Sequence, residues 1–540
     1  MNINISNISW SKSVVNLFVK KNIKYACISP GSRNTALTYA LIKQKSIKCI
    51  SHIDERSSAF FGLGIAKKTN SPGIILTTSG TATANLLPAI IEAYYSMTPL
   101  IIITADRPKS LLNTGENQTI DQTSIYSSYI RGMIDIKKSN KTSLLKKINK
   151  TINLATGDHK NIPGPVHLNI RFDEPLYDKN KKLIHINLDN NIRLKKNINL
   201  NLPKFKRPLI VCGELNYSES KHVYKLIKSL DFPVFADINS HLRHYKDKNI
   251  NVFYDYYCNN IEKPDLIIRF GTKPISKSLN KLLTKNKKNT YLIHPYLHFN
   301  DNAMHAIKAF SNHISFNIKS HNKLDKNWVN QIKHAETNII KKINTISKSN
   351  NNEISLITSL IDKLTKKDHL FIGNSSPIRS FNKFTGKLKN EIHTFTNRGA
   401  SGIDGIISTA LGISFINDKS NNFLVIGDIS FFHDINGFHV LKSLKINLTI
   451  IIINNKGGQI FSTLEYANKN IEKFDEFWIT PQNIKINNVA NLFNLKYFKL
   501  NTKELKEEIS KISNLKGVKI IEIKTSSSLD IKIDKKLSLV

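Results

Sequence analysis

The sequence predicts an α/β protein of three domains, in which parallel sheets are flanked by helices. Short apolar runs alternate with helical stretches in the first and last parts of the chain, and this alternation implies crossover units and parallel strands. A chain of 540 residues is also too long for one compact core, so its length suggests about three or four domains. The hydrophobic fraction of 40% is adequate for folding.

The predicted domains follow one another as residues 1–190, 200–335 and 350–540. The first alternates strands and helices from YACIS and NTALTYALIKQ onwards, and the third repeats that style. The second contains short buried-strand candidates such as PLIVCGEL and DLIIRFG, without a catalytic constellation of its own. The polar residues 177–205 are predicted to form a linker between the first two domains.

The formal net charge of +38 is the strongest compositional signal, because a basic patch is what a nucleic-acid binder needs. The lysines, however, occur singly or in pairs throughout the chain, beside many asparagines and isoleucines, as in KNKKNTYLI and KSNNNEISLI. Phosphate recognition would concentrate the charge on one element, with aromatic residues interleaved for stacking. We therefore predict a general compositional bias and no nucleic-acid partner.

The cysteines and the N-terminal sequence give information about the cellular location of the protein. The four cysteines have neither Cys-x-x-Cys nor zinc-finger spacing, so a reduced, cytoplasmic setting without disulfides is the simple interpretation. The N-terminal MNINISNISWSKSVVNLF lacks a basic lead followed by a long apolar core, and no apolar run approaches the ~20 residues that cross a bilayer. We predict no secretion signal and no membrane partner.

The segment FLVIGDISFFHDINGFHVLKSLKINLTIIIINNKGGQIF, residues 423–461, is the most informative for chemistry. A buried strand is predicted to end at Gly427 and Asp428, a helix to begin at about His433, and a second strand to end just before Asn455. The carboxyl ends of parallel strands are where α/β sheets place ligand groups. If the two strands are parallel neighbours, Asp428 and Asn455 lie at the same edge of the sheet.

A carboxylate oxygen, an amide oxygen and a backbone carbonyl from the turn at Gly457 form a ligand set that suits Mg²⁺. Glycines also let a backbone approach a diphosphate closely. Each motif alone has an ordinary alternative, a helix-capping aspartate or an Asn-Gly type of turn. Their combination across a crossover of suitable length favours a metal and phosphate site.

This arrangement resembles the cofactor motif of the thiamine-diphosphate-dependent enzymes, a Gly-Asp separated by a crossover from an Asn-Asn. The third motif position, commonly glycine, is Ile429 here, and one branch of the family has a larger residue there. That branch comprises the menaquinone-pathway synthases that join 2-oxoglutarate to isochorismate. The stretches that resemble it are ISPGSRNTALTYAL, HIDERSSAFFGLGIA, TTSGTATANLLPAIIEA, ITADRP, GENQTIDQ, GPVHLNIRFDEPLY and NRGASGIDG, with only FGTKPISK in the middle of the chain.

The resemblance implies a catalytic role for Glu55. By its local pattern, Glu55 is a first-turn helix acid beside Asp54, favoured there by the helix dipole. In the family, a glutamate at the matching position hydrogen-bonds the aminopyrimidine ring of thiamine diphosphate and stabilises the tautomer that activates the cofactor. The protein then supplies orientation and electrostatics, while the cofactor supplies the hard chemistry.

The resemblance also implies the cofactor and metal ligands. Ile403 resembles the apolar wedge that bends the cofactor into its reactive shape, with an ordinary core position as the alternative. The metal would be Mg²⁺, with Mn²⁺ as an alternative, held by Asp428, Asn455 and Gly457. The implied cofactor-binding residues are Glu55, Ser375, Ile403, Gly427, Asp428, Asn455, Ile460 and Phe461.

Both implied substrates are anions with two carboxylates, for which the planar, always-charged guanidinium is better suited than an ammonium group. Four arginines fall on matching family positions in a chain otherwise biased toward lysine, although surface solvation could explain any one of them. These arginines are Arg33, Arg107, Arg379 and Arg398. The other implied substrate residues are Ser32, Asn117, Gln118, Lys277 and Leu464.

The family places its active site between the first domain of one subunit and the third domain of another. The resemblance therefore implies at least a homodimer, and it does not distinguish a dimer from a tetramer. Two other functions stay open from the sequence. The chain could be another thiamine-diphosphate-dependent 2-oxoacid decarboxylase or carboligase, or a non-enzymatic basic binding protein.

Overall fold

A computed structural model describes residues 6–139, 141–157, 161–177, 197–296, 301, 303–305, 307–310, 313–317, 323–348, 352–417, 419–469 and 471–538. The chain divides into two compact units, each with its own hydrophobic core. The first unit comprises Met1–Arg193, Asn397–Asp418 and Ser430–Ile446, and the second comprises Leu194–Thr396, Lys419–Ile429 and Asn447–Val540. The predicted domain end at residue 190 and most of the predicted linker lie outside the described residues.

The first unit contains a sheet of six parallel strands in the order β2-β1-β3-β4-β6-β5. Every residue of β4 and β6 is buried, as expected of central strands that are covered on both faces. The elements up to residue 171 are α1 (Asn7–Lys20), β1 (Tyr25–Ile28), α2 (Thr35–Ile42), β2 (Lys48–Ser51), α3 (Glu55–Thr69), β3 (Gly73–Thr77), α4 (Thr81–Ala84), α5 (Leu87–Tyr95), β4 (Leu100–Asp106), β5 (Met133–Lys137), α6 (Thr142–Thr156) and β6 (Pro165–Arg171).

The second unit contains two further parallel sheets of six strands. The sheet nearer the N-terminus has the order β10-β9-β8-β11-β12-β13, and a two-stranded parallel pair, β7 with β14, accompanies it. The helix α9 continues past residue 335, where the sequence predicted the central domain to end. These elements are β7 (Asn197–Asn201), β8 (Pro208–Cys212), α7 (Tyr217–Leu230), β9 (Val234–Ala236), β10 (Ile250–Asn251), β11 (Leu266–Phe270), α8 (Lys277–Lys285), β12 (Thr290–His294), β13 (Ile307–Phe310), β14 (His313–Asn317) and α9 (Lys326–Ile346).

The third sheet has the order β16-β15-β17-β18-β20-β19, which is the order of the first sheet when each set of strands is numbered from one. The two regions that the sequence predicted to be alike therefore share one topology. The remaining elements are α10 (Glu353–Lys363), β15 (His369–Ile372), α11 (Ser376–Phe384), β16 (His393–Phe395), α12 (Ile406–Ile416), β17 (Asn422–Gly427), α13 (Asp428–His433), β18 (Leu448–Asn454), α14 (Ile486–Leu492), β19 (Lys496–Leu500), α15 (Thr502–Asn514), β20 (Val518–Lys524) and α16 (Ser527–Leu537).

The prediction of parallel sheets flanked by helices is confirmed, and so is the pairing of the two strands in residues 423–461. Strand β17 pairs in parallel with β18, with Gly427 opposite Ile453. The predicted helix start at about His433 was wrong, because α13 begins at Asp428, directly after the strand. An acidic side chain is favourable at the first position of a helix, and the Asp428 carboxylate accepts the Ile429 amide at 2.9 Å.

Two glycines allow helices α3 and α12 of the first unit to pack closely. A Cβ on Gly64 would overlap the carbonyl oxygen of Thr409, and a Cβ on Gly412 would overlap the carbonyl oxygen of Phe61. The two helix backbones can approach this closely only because neither position carries a side chain. The packing fixes α3, whose first residue is Glu55.

No helix in the described part of the chain is both long and apolar enough to cross a membrane.

Candidate active site

In the first unit, the loops that follow β1 and β3 meet at the carboxyl edge of the first sheet. A Cβ on Gly31 would overlap the Thr78 side chain, so the two loops are in direct contact. Ser32 is exposed on the first loop, and Arg33 beside it places Nη1 3.2 Å from the Glu174 carboxylate. In an open α/β sheet, the point where the strand order reverses is where ligands bind, and β1 and β3 flank such a point.

Arg107 follows the last residue of β4 and is almost completely buried. Its amide donates to the Asp106 carboxylate at 2.8 Å, and its Nη1 donates to Ser79 Oγ at 2.5 Å and to the Gln118 carbonyl at 3.0 Å. Of the residues that the structure describes, none accepts a hydrogen bond from the buried Nε of Arg107 or from that of Arg33. The Glu116 carboxylate lies 3.9 Å from Arg107 Nε, which is beyond hydrogen-bond distance, so both guanidinium groups retain an Nε–H donor for an anionic ligand.

Asn117 and Gln118 are both exposed in the loop after β4. Gln118 has φ +53° and lies against Gly80, where an added Cβ would come within 3.2 Å of the Gln118 Cα. The Gly80 amide donates to Gln122 Oε1 at 2.9 Å, which ties the same loop to the end of β3. The structure thus brings the predicted residues Arg107 and Gln118 together and leaves their neighbour Asn117 open to solvent.

A buried polar network behind Arg107 holds the ends of β4 and β6. Arg171 Nη1 lies 2.9 Å from the Asp106 carboxylate and donates to the Arg107 carbonyl at 2.8 Å. Asn169 Nδ2 donates to Asp106 and to Asp135, both at 2.9 Å. Burial raises the pKa of Asp106, while Asn169 and Arg171 act against that rise. Sequence patterns did not single out Arg171, although a charged residue at the end of an apolar strand is a usable signal.

Glu55 is the first residue of α3, as the sequence predicted. The N-cap residue, Asp54, accepts the amides of Arg56 at 2.8 Å and Ser57 at 3.3 Å. Glu55 is half-buried, and its Oε2 accepts a long hydrogen bond of 3.4 Å from Asn85 Nδ2. Its carboxylate is thus only weakly engaged within the described chain.

The start of α3 is held by contacts from Asp404, His433 and Asn436 of the same unit. Arg56 Nη2 donates to the His433 carbonyl at 2.9 Å, and Asn436 Nδ2 donates to the Asp54 carboxylate at 3.0 Å. Arg56 Nη1 also lies 4.0 Å from the Asp404 carboxylate. These contacts fix the backbone immediately before and after Glu55.

Asp434 joins the same region to the start of α12. Its carboxylate is buried and accepts the Ser408 amide at 2.7 Å and the Ser408 hydroxyl at 3.1 Å. Burial raises the pKa of Asp434 to about 7, whereas the Ser408 hydrogen bonds and the charge of Arg56 act against that rise. Ionisation of this carboxyl group therefore lowers the stability of the folded chain.

The 397–404 segment carries two predicted site residues, Arg398 and Ile403, both half-buried. The backbone amides of residues 399, 400 and 401 donate to the Glu92 carboxylate at 2.9, 2.7 and 3.3 Å. Glu92 itself is buried within α5 and lies 3.5 Å from the ammonium group of Lys67. Sequence patterns did not identify Glu92, although a lone acid in the apolar helix LPAIIEAYY is a signal for a paired buried charge.

In the second unit, the carboxyl ends of β17 and β18 form the predicted metal edge. Asp428 is buried, and its Oδ2 accepts the Gly457 amide at 2.8 Å. Burial raises the pKa of Asp428, while the amides of Gly457 and Ile429 act against that rise. A Cβ on Gly427 would meet nothing within 4 Å, so the strand end faces open space. Asn455 directly follows β18.

The donor set at this edge fits a hard cation and a diphosphate. A buried carboxylate, an amide oxygen and a backbone carbonyl are ligands suited to Mg²⁺, which also keeps several waters and binds phosphate oxygens. The open space at Gly427 leaves room for such a group. Within the described residues, no cluster of three His, Cys, Asp or Glu side chains is arranged to hold a metal.

The side chain of Glu522, on the neighbouring strand β20, holds the carboxyl end of β18 in place. Glu522 accepts a hydrogen bond of 2.7 Å from Asn454 Nδ2 and another from the Tyr497 hydroxyl. Asn454 is the last residue of β18, directly before the predicted ligand Asn455. Sequence patterns missed Glu522, since its partners come from two other strands.

The loop after β18 carries the predicted apolar residues Ile460, Phe461 and Leu464. Ile460 and Phe461 belong to a 3₁₀ helix, Gln459–Thr463, and Leu464 follows it. The Gly458 amide donates to the Ile479 carbonyl at 2.6 Å, which anchors the loop. The sequence could not anticipate that anchor.

Ser375 lies after β15 with φ +68°, and its carbonyl accepts a 2.6 Å hydrogen bond from Arg379 Nη1. These two predicted residues are thus in contact, next to β17 in the sheet order. Lys277 is exposed at the first residue of α8, beyond β11 of the other sheet.

Comparison with known proteins gives three family matches along the chain. Residues 9–125 match the thiamine pyrophosphate enzyme N-terminal TPP binding domain, residues 176–372 match the middle domain of thiamine pyrophosphate enzymes, and residues 380–523 match the C-terminal TPP binding domain. The order of the three matches agrees with the order of the three sheets.

Curated relatives resemble the chain over most of its length. A 2-succinyl-5-enolpyruvyl-6-hydroxy-3-cyclohexene-1-carboxylate synthase of Staphylococcus haemolyticus is 34% identical over 507 residues, which cover 89% of this chain and 88% of the relative. Proteins of the same name from Listeria innocua and Bacillus pumilus are 34% and 32% identical, and each alignment covers 94% of this chain and 93% of the relative.

Proposed function

This chain belongs to the 2-succinyl-5-enolpyruvyl-6-hydroxy-3-cyclohexene-1-carboxylate synthase family of thiamine pyrophosphate enzymes, and from that premise we propose its reaction in detail. It is a transferase that depends on thiamine diphosphate. We propose that it decarboxylates 2-oxoglutarate and adds the remaining four-carbon unit to isochorismate, giving CO₂ and the cyclohexene carboxylate for which the relatives are named. This reaction is a step of menaquinone biosynthesis.

One observation carries the choice of anionic substrates. Arg33 and Arg107 lie at the carboxyl edge of the first sheet, and the buried Nε of each donates no hydrogen bond among the described residues. Each guanidinium also has one acid nearby, Glu174 at 3.2 Å from Arg33 and Glu116 at 3.9 Å from Arg107. A buried donor without a partner has an energetic cost, which a bound carboxylate removes. Arg398 and Arg379 are proposed to add two further carboxylate contacts, and Ser32, Asn117, Gln118 and Lys277 to supply hydrogen bonds.

The proposed metal and diphosphate ligands all belong to the second unit. Asp428, Asn455 and the Gly457 carbonyl would hold Mg²⁺, and the open backbone at Gly427 would accept the diphosphate. Bound thiamine diphosphate supplies the nucleophilic carbon and the electron sink that allow a 2-oxo acid to lose CO₂. The remaining proposed contacts are apolar or polar walls, from Ser375, Ile403, Ile460, Phe461 and Leu464.

Glu55 is the proposed catalytic residue. Its carboxylate would share a proton with a ring nitrogen of the aminopyrimidine. The weak contact with Asn85 at 3.4 Å supports this role, because it leaves the carboxylate available for a stronger partner. The fixed N-terminus of α3 would orient the carboxylate during that exchange.

We propose that the active site is shared between subunits, so that the enzyme is at least a homodimer. If Glu55 and Asp428 around one cofactor come from different chains, Glu55→Gln and Asp428→Ala should each be inactive, and mixed, exchanged subunits should regain part of the activity. Complete inactivity of the mixture after verified subunit exchange would contradict a shared site.

The four cysteines are free, which supports the proposed reducing, cytoplasmic location.

The choice of substrate can be tested by the release of labelled CO₂. Purified enzyme with thiamine diphosphate and Mg²⁺ should release CO₂ from [1-¹⁴C]2-oxoglutarate at least tenfold faster than from [1-¹⁴C]pyruvate, since the second carboxylate of 2-oxoglutarate pairs with an arginine. Preference for pyruvate would instead favour an acetolactate-type decarboxylase. Arg131→Lys serves as a control, because Arg131 binds the Pro163 and Tyr94 carbonyls at the amino-terminal end of β6, opposite the carboxyl edge of the sheet.

A further inference from the structure

Glu92 is a carboxylate buried within the apolar helix α5, with 3% of its surface exposed. Burial of a charged group is costly unless hydrogen bonds and an opposite charge compensate. Lys67 supplies the opposite charge from α3, at 3.5 Å. The hydrogen bonds come from the backbone of the 397–404 segment, more than 300 residues away along the chain.

The amides of Gly399, Ala400 and Ser401 converge on the two oxygens of this carboxylate. Successive backbone amides that point into one concavity form an anion-binding nest, and such a nest commonly includes a left-handed residue. Ser401 supplies it, with φ +64°. In this nest the bound anion is a side chain of the same unit, so the nest fixes the segment in place.

The segment lies directly on the last turn of α5. A Cβ on Gly399 would overlap the Glu92 carbonyl oxygen and lie 2.7 Å from the Ser96 nitrogen. The segment and α5 also line a shared cavity of 410 Å³, whose walls include Leu87, Ile91 and Glu92 of α5 and Phe60 of α3. Because of that cavity, the segment is incompletely packed against α5. Asn397 and Asp404 anchor its two ends through Thr409 and Arg56, and the Glu92 hydrogen bonds hold residues 399–401 between them.

We propose that Glu92 is a positioning residue, which holds the 397–404 segment so that Arg398 meets a substrate carboxylate and Ile403 meets the cofactor. The inference rests on the proposed function, since it assigns to Glu92 the orientation of two residues of that site. Glu92 itself contacts neither substrate nor cofactor in this account.

The test uses Glu92→Gln in the full-length, cofactor-loaded enzyme. Glutamine keeps the size of the side chain, but it removes the charge and turns an N–H₂ group toward the amide donors. We expect the KM of one substrate to rise roughly tenfold, as expected when hydrogen bonds to a charged group are lost. That substrate should be the one whose KM rises in Arg398→Lys. In the double variant that combines Glu92→Gln with Arg398→Lys, the KM should rise by less than the product of the two single increases, because both substitutions act on the same contact.

Glu336→Gln is the matched control. Glu336 is also buried, and it accepts the amides of Val252 and Phe253 and the Tyr257 hydroxyl in the second unit, none of which is a proposed site residue. A structural effect alone would lower the thermal midpoint and the active fraction of both Gln variants without a substrate-selective KM. If Glu92→Gln behaved like this control, or like the wild type, the positioning role would be overturned.

A second measurement separates this inference from the proposed function. Hydrogen exchange of the amides of residues 399–401, in the protein without added substrates, should be at least roughly tenfold faster in Glu92→Gln than in the wild type. Unchanged exchange would refute the holding role whatever the reaction is. Faster exchange in an enzyme that consumes neither 2-oxoglutarate nor isochorismate would refute the proposed function and confirm that Glu92 holds the segment.

Discussion

Replacing Arg107 by lysine tests whether the guanidinium fork, and not charge alone, serves the proposed substrate site. The Arg107 Nη1 atom bridges Ser79 Oγ at 2.5 Å and the Gln118 carbonyl at 3.0 Å, and the buried Nε remains for a ligand. A lysine keeps the positive charge, but its single ammonium group cannot occupy the Nη1 and Nε positions at once. The variant must therefore lose either the bridge or the proposed ligand contact.

The size of the effect follows from the contacts that are lost. A hydrogen bond to a charged group contributes about 1.5–3 kcal/mol, and lysine can replace at most part of this set. We therefore expect kcat/KM for 2-oxoglutarate plus isochorismate to fall roughly 10- to 150-fold. The assay is steady-state loss of isochorismate, with each substrate varied in turn.

Arg131→Lys provides the matched control for Arg107→Lys. Arg131 is in the same unit, is partly buried and also binds two acceptors, the carbonyls of Pro163 and Tyr94. It should lose stability without a comparable loss of kcat/KM. If folded Arg107→Lys retained kcat/KM within threefold of the wild type, the proposed role of the fork would be refuted.

Three further predictions concern the metal edge, the helix packing and pH. Asp428→Asn keeps an acceptor for the Gly457 amide but should weaken binding of thiamine diphosphate with Mg²⁺ at least tenfold in calorimetry, and unchanged affinity would count against the metal site. Gly412→Ala places a Cβ on the Phe61 carbonyl oxygen and should lower the free energy of unfolding by about 1–3 kcal/mol. The control is Gly386→Ala, whose added Cβ has its nearest neighbour at 3.6 Å and should leave the thermal midpoint unchanged. Equal thermal midpoints for the two variants would contradict the packing argument. Burial raises the pKa of Asp434 from 3.8 to about 7. Its carboxyl group therefore contributes fully to stability below pH 3.8, and this contribution is lost as the pH rises to about 7. Over that range the free energy of unfolding should fall by about 1.4 kcal/mol per pH unit. Asp434→Asn should flatten the fall in unfolding free energy measured between pH 5 and pH 8, and an unchanged slope would show that Asp434 is not its source.

The parts of the fold that sequence predicted best are those set by local pattern. Continuous apolar runs such as Leu448–Asn454 identify strands buried on both faces, and the acids at the start of α3 identify its first turn. The strand pairing at Asp428 followed from the crossover between two such runs. The start of α13 was misplaced because the apolar run after Asp428 has no helical periodicity that separates it from the strand before it.

The positioning of the site could not be predicted, because it depends on contacts between distant parts of the chain. The amides of residues 399–401 meet Glu92 only after folding, and Asp434 meets Ser408 of α12 although strand β17 and helix α13 lie between them in the sequence. The resemblance to the family supplied the residues expected to touch ligands. It supplied neither the buried groups that hold them, such as Arg171, nor the glycines that let α3 and α12 approach.

The central claim is a carboligation that needs thiamine diphosphate, Mg²⁺, 2-oxoglutarate and isochorismate together. The most direct measurement is a spectrophotometric assay of isochorismate loss by the purified protein, with each of the four components omitted in turn. We predict loss of isochorismate only when all four are present. Decarboxylation of 2-oxoglutarate that leaves isochorismate untouched, or no reaction in folded, cofactor-loaded protein, would contradict the account.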